Sequence, residues 1–89
     1  MTQEQLVNHL KDTCGCIVVR IDARGYYVMR NVINAKMCGV PVANNINGQL
    51  KAASVCHICR TLCADIPEEA QKAAEVIDHI HKNFPKPGN

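Results

Sequence analysis

The sequence predicts an α+β domain: a short N-terminal helix, a three-stranded antiparallel sheet, then two antiparallel helices packed on one sheet face. Three observations carry this expectation. Apolar residues near the start and again from Gln49 onward recur at the three-and-four spacing of core-facing helices. Between those segments, Ile17, Val18, Val19 and Ile21 form a β-branched run, and a second apolar run follows Gly25. Runs of this kind on either side of a glycine turn are the pattern of a hairpin.

The first helix opens at Thr2-Gln3-Glu4-Gln5. Threonine followed three residues later by glutamine is a capping box, in which each side chain satisfies an orphan amide of the other. Leu6, Val7 and Leu10 form its apolar side, and Gly15 stands where the helix turns into a strand. Cys16 to Asp22 is the first strand, Asp22-Ala23-Arg24-Gly25 the turn, and Tyr26 to Ile33 the second strand. A left-handed Gly25 bulge that sets Asp22 opposite Tyr26 would place Ile17, Val19, Ile21, Tyr27, Met29 and Ile33 on the face that meets the helices. The other face then carries Val18, Arg20, Tyr26, Val28, Arg30 and Val32. A two-residue turn would instead split Arg20 and Arg30 between the faces.

Asn34 to Gly39 reads as a connection, and Val40-Pro41-Val42-Ala43 as a short edge strand, because Pro41 has no amide to donate. The Asn47-Gly48 pair is a turn signal, with Asn47 also placed to cap a helix from Gln49 to Cys63. Ala52, Val55, Cys59, Leu62 and Cys63 form the stripe of that helix, flanked by Ile58 and Cys56, and Ser54, His57, Arg60 and Thr61 form its wet side. The last helix begins at Asp65-Ile66-Pro67-Glu68, with Ala70, Ala73, Ala74, Ile77, Ile80 and Phe84 as its stripe. No repeat or linker divides the chain, which reads as one domain over 1–84 and a disordered tail over 85–89.

Up to the first long helix, the element order resembles that of double-stranded-RNA-binding modules. Such modules grip phosphates with a lysine cluster at the start of their last helix. Here that place holds Asn47, Gly48, Gln49 and a single Lys51, so the likeness is one of topology.

The chain has 89 residues, is 47% hydrophobic and 20% charged, and has only three aromatic residues, so its core is built from aliphatics, alanine, cysteine and methionine. No apolar run is long enough to span a membrane and no leader precedes the first helix, so the expected location is the cytoplasm, with no membrane partner. In that reducing compartment six cysteines are thiols or metal ligands sooner than disulfides. The net charge of +2 is segregated. Arg20, Arg24, Arg30, Lys36, Lys51 and Arg60 face the single acid Asp22 in the middle of the chain, whereas the last 29 residues carry five acids against three lysines.

Two readings of function follow. In the first, the chain is a non-enzymatic binding or regulatory module. Arg20, Arg24, Tyr26, Arg30 and Lys36 then meet an acidic protein or nucleic acid through a basic sheet face. The valines around the arginines make the same face a candidate homodimer interface. In the second, Cys56 and Cys59, spaced Cys-x-x-Cys, join Cys14 and Cys16 in a zinc or thiol-redox site. Against it, Cys59 lies in the middle of an apolar stripe, where a free cysteine behaves as a small hydrophobe. No resident cofactor other than zinc is implied. Catalysis finds no support: Cys56 and His57 are helix neighbours that point about 100° apart, and no pair of carboxylates lines an apolar cleft.

Overall fold

A computed structural model describes residues 1–83, with His81 and Asn83 as backbone only. The elements run α1 (Gln3–Cys14), β1 (Cys16–Ile21), β2 (Tyr27–Asn31), β3 (Met37–Val40), α2 (Ala52–Thr61) and α3 (Glu68–Asn83), which is the expected α+β order. Phe84 and the tail 85–89 lie outside the described residues.

The capping box forms as read. Thr2 Oγ1 accepts from the Gln5 amide at 3.1 Å, and Gln5 Oε1 accepts from the Thr2 amide at 2.9 Å. Gly15 closes α1 in the left-handed conformation at φ 64°, which a side chain would strain. The three strands form one antiparallel sheet in the order β1-β2-β3. One sheet face is covered: α1 packs against all three strands and α2 against β3, while α3 packs on α2. The centre is aliphatic and sulfurous, with Leu6, Leu10, Met29, Val40, Val55, Cys56, Cys59 and Leu62 fully buried. Each of the larger aliphatic side chains among them contributes about 1.5–3 kcal/mol by leaving water.

Several boundaries differ from the sequence reading, each for a local reason. β2 stops at Asn31, and Ile33 is 87% exposed instead of facing the helices. Asn31 Oδ1 accepts from the Ile33 amide and Asn34 Oδ1 from the Lys36 amide, both at 2.9 Å, so the side chains tighten the turn. Ala35, at φ 61°, completes that turn. The third strand therefore starts at Met37 and ends before Pro41, three residues earlier than read.

α2 begins at Ala52 and not at Gln49. Asn45 holds Gln49 from both sides, donating to its carbonyl at 2.6 Å and accepting from its amide at 3.0 Å. Gln49 also bridges to Thr2, so these residues are spent on a loop, and Asn47 lies in its turn while Lys51 takes the cap position. At the other end the helix closes at Leu62, leaving Cys63 exposed at φ 56°. Ala52 is exposed as well, so neither end of the predicted stripe reaches the core.

The two later helices meet in a sense opposite to that read. Cys56 Sγ donates to the Ala70 carbonyl at 3.3 Å, and Arg60 pairs with Asp78 at 2.8 Å. Both contacts advance along the two helices together. The segment from Leu62 to Pro67 runs back beside α1, where the Asp65 carbonyl meets His9 Nε2 at 2.7 Å. It delivers the start of α3 next to the Met1 amino group, which lies 3.4 Å from Glu69. The pair is therefore a crossing of like sense and not an antiparallel hairpin, and α3 forms an outer layer on α2. Of its stripe, Ala70 and Ala74 are buried and Ala73 and Ile77 partly so, whereas Ile80 is 46% exposed.

Candidate partner-binding face

The first hairpin closes as the bulged register requires. Gly25 sits at φ 83°, and the Asp22 amide donates to the Tyr26 carbonyl at 3.0 Å. A second irregularity, between Val18 and Arg20, then changes what β1 presents. Arg20 pairs with Val28 and Ile21 with Tyr27, but beyond the bulge Val18 pairs with Met29 and Cys16 with Asn31. An extra residue reverses the side-chain alternation of everything before it. Cys16 is thus buried and Val18 packs against the core, whereas Ile17 and Val19, expected inside, are 47% and 44% exposed.

The face turned away from the helices consequently carries Ile17, Val19 and Arg20 from β1, Val28 and Arg30 from β2, and Met37 from β3. No helix packs on it among the described residues. Arg20 and Arg30 share this face, each beside aliphatic side chains.

The other three expected residues are placed differently. Tyr26 sits at the turn end with its ring over Gly39, where an added Cβ would lie 3.6 Å away. The Arg24 guanidinium lies 4.2 Å from the centre of that ring and 3.3 Å from the Asp22 carboxylate. Asp22 Oδ1 also accepts from the amides of Arg24 and Tyr26, at 2.9 and 3.0 Å. Desolvation pushes the Asp22 carboxyl up, but these amides and the Arg24 guanidinium outweigh it and hold the group below its ordinary value. Arg24 is therefore a tied residue. Lys36 belongs to the turn at the opposite end of β2, across from buried Asn31, and does not join the Arg20–Arg30 face.

The cysteines gather in the core and not at a surface site. Cys16, Cys56 and Cys59 are buried, Cys14 and Cys38 half-buried, and only Cys63 is exposed. Burial pushes the Cys59 thiol up to about 12, and the neighbouring thiols of Cys14, Cys56, Cys16 and Cys38 add to the effect. Burial likewise raises Cys38, despite hydrogen bonds to the Gly39 backbone and the Thr61 side chain, and Cys16, where Cys14 adds to it. Thiols of this kind stay protonated at neutral pH and are poor nucleophiles. Among the described residues, no three His, Cys, Asp or Glu side chains come together in a way that can hold a metal ion.

Two structural residues went unread in the sequence. Asn31, the one buried polar side chain among the described residues, donates from Nδ2 to the Leu62 carbonyl at 2.8 Å and so ties the end of β2 to the end of α2. Gln3 Nε2 donates to the carbonyls of Gly25 and Val40, at 2.9 and 3.2 Å, and binds α1 to both hairpins. Nothing in the spacing of either residue marks it.

No protein-family profile, curated protein or solved structure matches the chain. No helix among the described residues is long and apolar enough to cross a membrane.

Proposed function

We propose that this is a non-enzymatic binding module whose bare sheet face, centred on Arg20 and Arg30, meets an acidic protein surface. The observation that carries the reading is the composition of that face: Ile17, Val19 and Met37 stand roughly half exposed beside two arginines. Its one acid, Asp22 at the turn, is already engaged by Arg24. Exposed aliphatic surface rimmed by like charge is the pattern of a protein interface, with the charge steering the encounter and the aliphatics supplying the burial. A protein is favoured over a nucleic acid because single strands are held by stacking on free aromatic rings. Of the two described rings, Tyr26 is stacked by Arg24 and Tyr27 packs against the core.

The test is a fluorescence titration with a glutamate-rich amphipathic peptide, run across salt beside a single-stranded and a double-stranded RNA. The expected result is peptide binding that weakens as salt rises. The double substitution Arg20→Glu and Arg30→Glu should weaken it by about tenfold or more. Failure of the peptide to bind, or binding unchanged by the double substitution, would remove the reading, and tighter binding of RNA would replace the protein with a nucleic acid.

A further inference from the structure

An edge strand offers unpaired backbone groups, and folds blunt such edges with bulges, charges or prolines. This sheet has two edges, β1 and β3. β1 carries the bulge at Val19 and Arg20, which breaks the regular spacing that a further strand would need. β3 pairs with β2 in unbroken register through all four of its residues, and Pro41 lies just past its end.

The direction of its free groups follows from two bonds. The Asn31 amide donates to the Lys36 carbonyl at 2.9 Å, and the Asp22 amide to the Tyr26 carbonyl at 3.0 Å. Residues of an antiparallel pair alternate between bonding inward and pointing outward. Both bonds give one phase: Tyr27, Met29 and Asn31 of β2 bond toward β3, so Cys38 and Val40 answer them. Met37 and Gly39 then turn their N–H and C=O groups away from the sheet. Among the described residues the Gly39 carbonyl receives only the thiol of Cys38, at 3.7 Å.

The Gly39 end of this edge opens on a groove of about 500 Å³, with Cys38 and Gly39 of β3 and the following Pro41 on one side, and Ala53, Ser54 and His57 of α2 on the other. It continues past Pro41 and Ser54 into a second hollow of about 480 Å³ that reaches Lys51. Among the described residues no acidic side chain lines either part, whereas His57 lines the first and Lys51 the second. A strand beside β3 would have α2 as its other wall, since Ala53, Ser54 and His57 line the far side of the groove.

We propose that the β3 edge takes one extended acidic peptide segment as a fourth strand, seated in the groove between β3 and α2. Backbone pairing with Met37 and Gly39 supplies its register, and Lys51 and His57 face its carboxylates. This goes beyond the sheet-face reading, since it stands on the edge of the sheet and uses neither Arg20 nor Arg30.

Amide exchange measured by NMR tests it, with and without a peptide of about eight residues alternating glutamate and valine. In the free protein the Met37 and Gly39 amides should exchange fast while Cys38 and Val40 are protected, and the peptide should slow Met37 and Gly39. Met37→Pro removes an outward donor without touching the β2 ladder, and His57→Glu puts like charge on an exposed wall. Each should weaken the peptide by about tenfold, whereas Arg20→Glu should leave it bound. Peptide binding that leaves the Met37 and Gly39 amides fast, or no binding, overturns the proposal. Binding lost in Arg20→Glu but kept in Met37→Pro would also overturn it while sparing the sheet-face reading. Protection of the same two amides that grows with protein concentration in the absence of peptide would assign the edge to a second copy and overturn it equally.

Discussion

Replacing Cys59 with serine should be more damaging than the same change at Cys56, although both are buried on the inner side of α2. Cys59 is 0% exposed and its thiol makes no hydrogen bond among the described residues, whereas Cys56 Sγ donates to the Ala70 carbonyl at 3.3 Å. Serine at position 56 therefore inherits an acceptor. At position 59 the hydroxyl enters a site walled by apolar groups and thiols. An unsatisfied buried hydroxyl costs about 1–3 kcal/mol. In a domain of this size each kcal/mol lowers the melting temperature by roughly 4–8 °C. Cys59→Ala isolates the polar component, because it removes the sulfur without adding a hydroxyl and costs only lost packing. Urea unfolding of the three variants, with thermal melts beside them, measures the differences directly. The expected order of stability is Cys56→Ser above Cys59→Ser, with Cys59→Ala between Cys59→Ser and the parent. Equal losses in the two serine variants, or a Cys59→Ala variant as damaged as Cys59→Ser, would refute the view that Cys59 is an apolar core residue. Equal and large losses accompanied by release of an ion, seen by native mass spectrometry, would favour the cysteines as ligands.

Asn31→Ala should cost about 2–4 kcal/mol in urea unfolding, since it removes the bonds to the Leu62 carbonyl and the Ile33 amide and leaves both partners behind. Asp22 gives a pH effect of definite sign. Its native carboxyl lies below its ordinary value, so the stabilisation is complete above the unfolded value of about 3.9 and is lost as pH falls through the lowered native value. The urea midpoint of the parent should therefore fall in that acid range more than that of Asp22→Asn. Alkylation followed by mass spectrometry at neutral pH should modify Cys63 first, Cys14 and Cys38 more slowly, and Cys16, Cys56 and Cys59 only on unfolding. Val28→Asp, on the bare sheet face, should leave the melting temperature within a few degrees and, where that face self-associates, shift light scattering toward monomer.

The architecture was legible because its strongest cues are local. The Thr2–Gln5 capping box, Gly15, and the Asp22–Gly25 turn each specify their own backbone through contacts within a few residues, and each formed. What sequence reasoning misplaced depended on side chains that compete with regular structure. Asn31 and Asn34 closed the second hairpin early, and Asn45 held Gln49 in a loop, where helix propensity alone extended α2 too far. The sense of α3 was hidden for a related reason. A six-residue connection reads as a short loop between antiparallel helices, but here it is drawn out along α1 by the contact of Asp65 with His9.

At the candidate face the lesson is narrower. The shared side of Arg20 and Arg30 followed correctly from the Asp22–Tyr26 pairing, but the bulge at Val19 exchanged Val18 for Ile17 on the surface. No turn residue marks that bulge. The buried cysteine Cys16 is its counterpart, because once Cys16 takes the core position the β-branched run must skip a residue to bring Ile21 opposite Tyr27. Arg24 and Lys36 counted equally in the charge pattern, yet only their surroundings separate a residue stacked on Tyr26 from one standing at the far turn.

The claim that the bare sheet face is the binding surface is tested most directly by NMR shift mapping during titration with the glutamate-rich amphipathic peptide at low salt. The account predicts the largest shifts at Ile17, Val19, Arg20, Val28, Arg30 and Met37, little change along α3, and reversal on adding salt. Shifts gathered on α3 or spread evenly over the molecule, with the Arg20 and Arg30 signals unmoved, would contradict it.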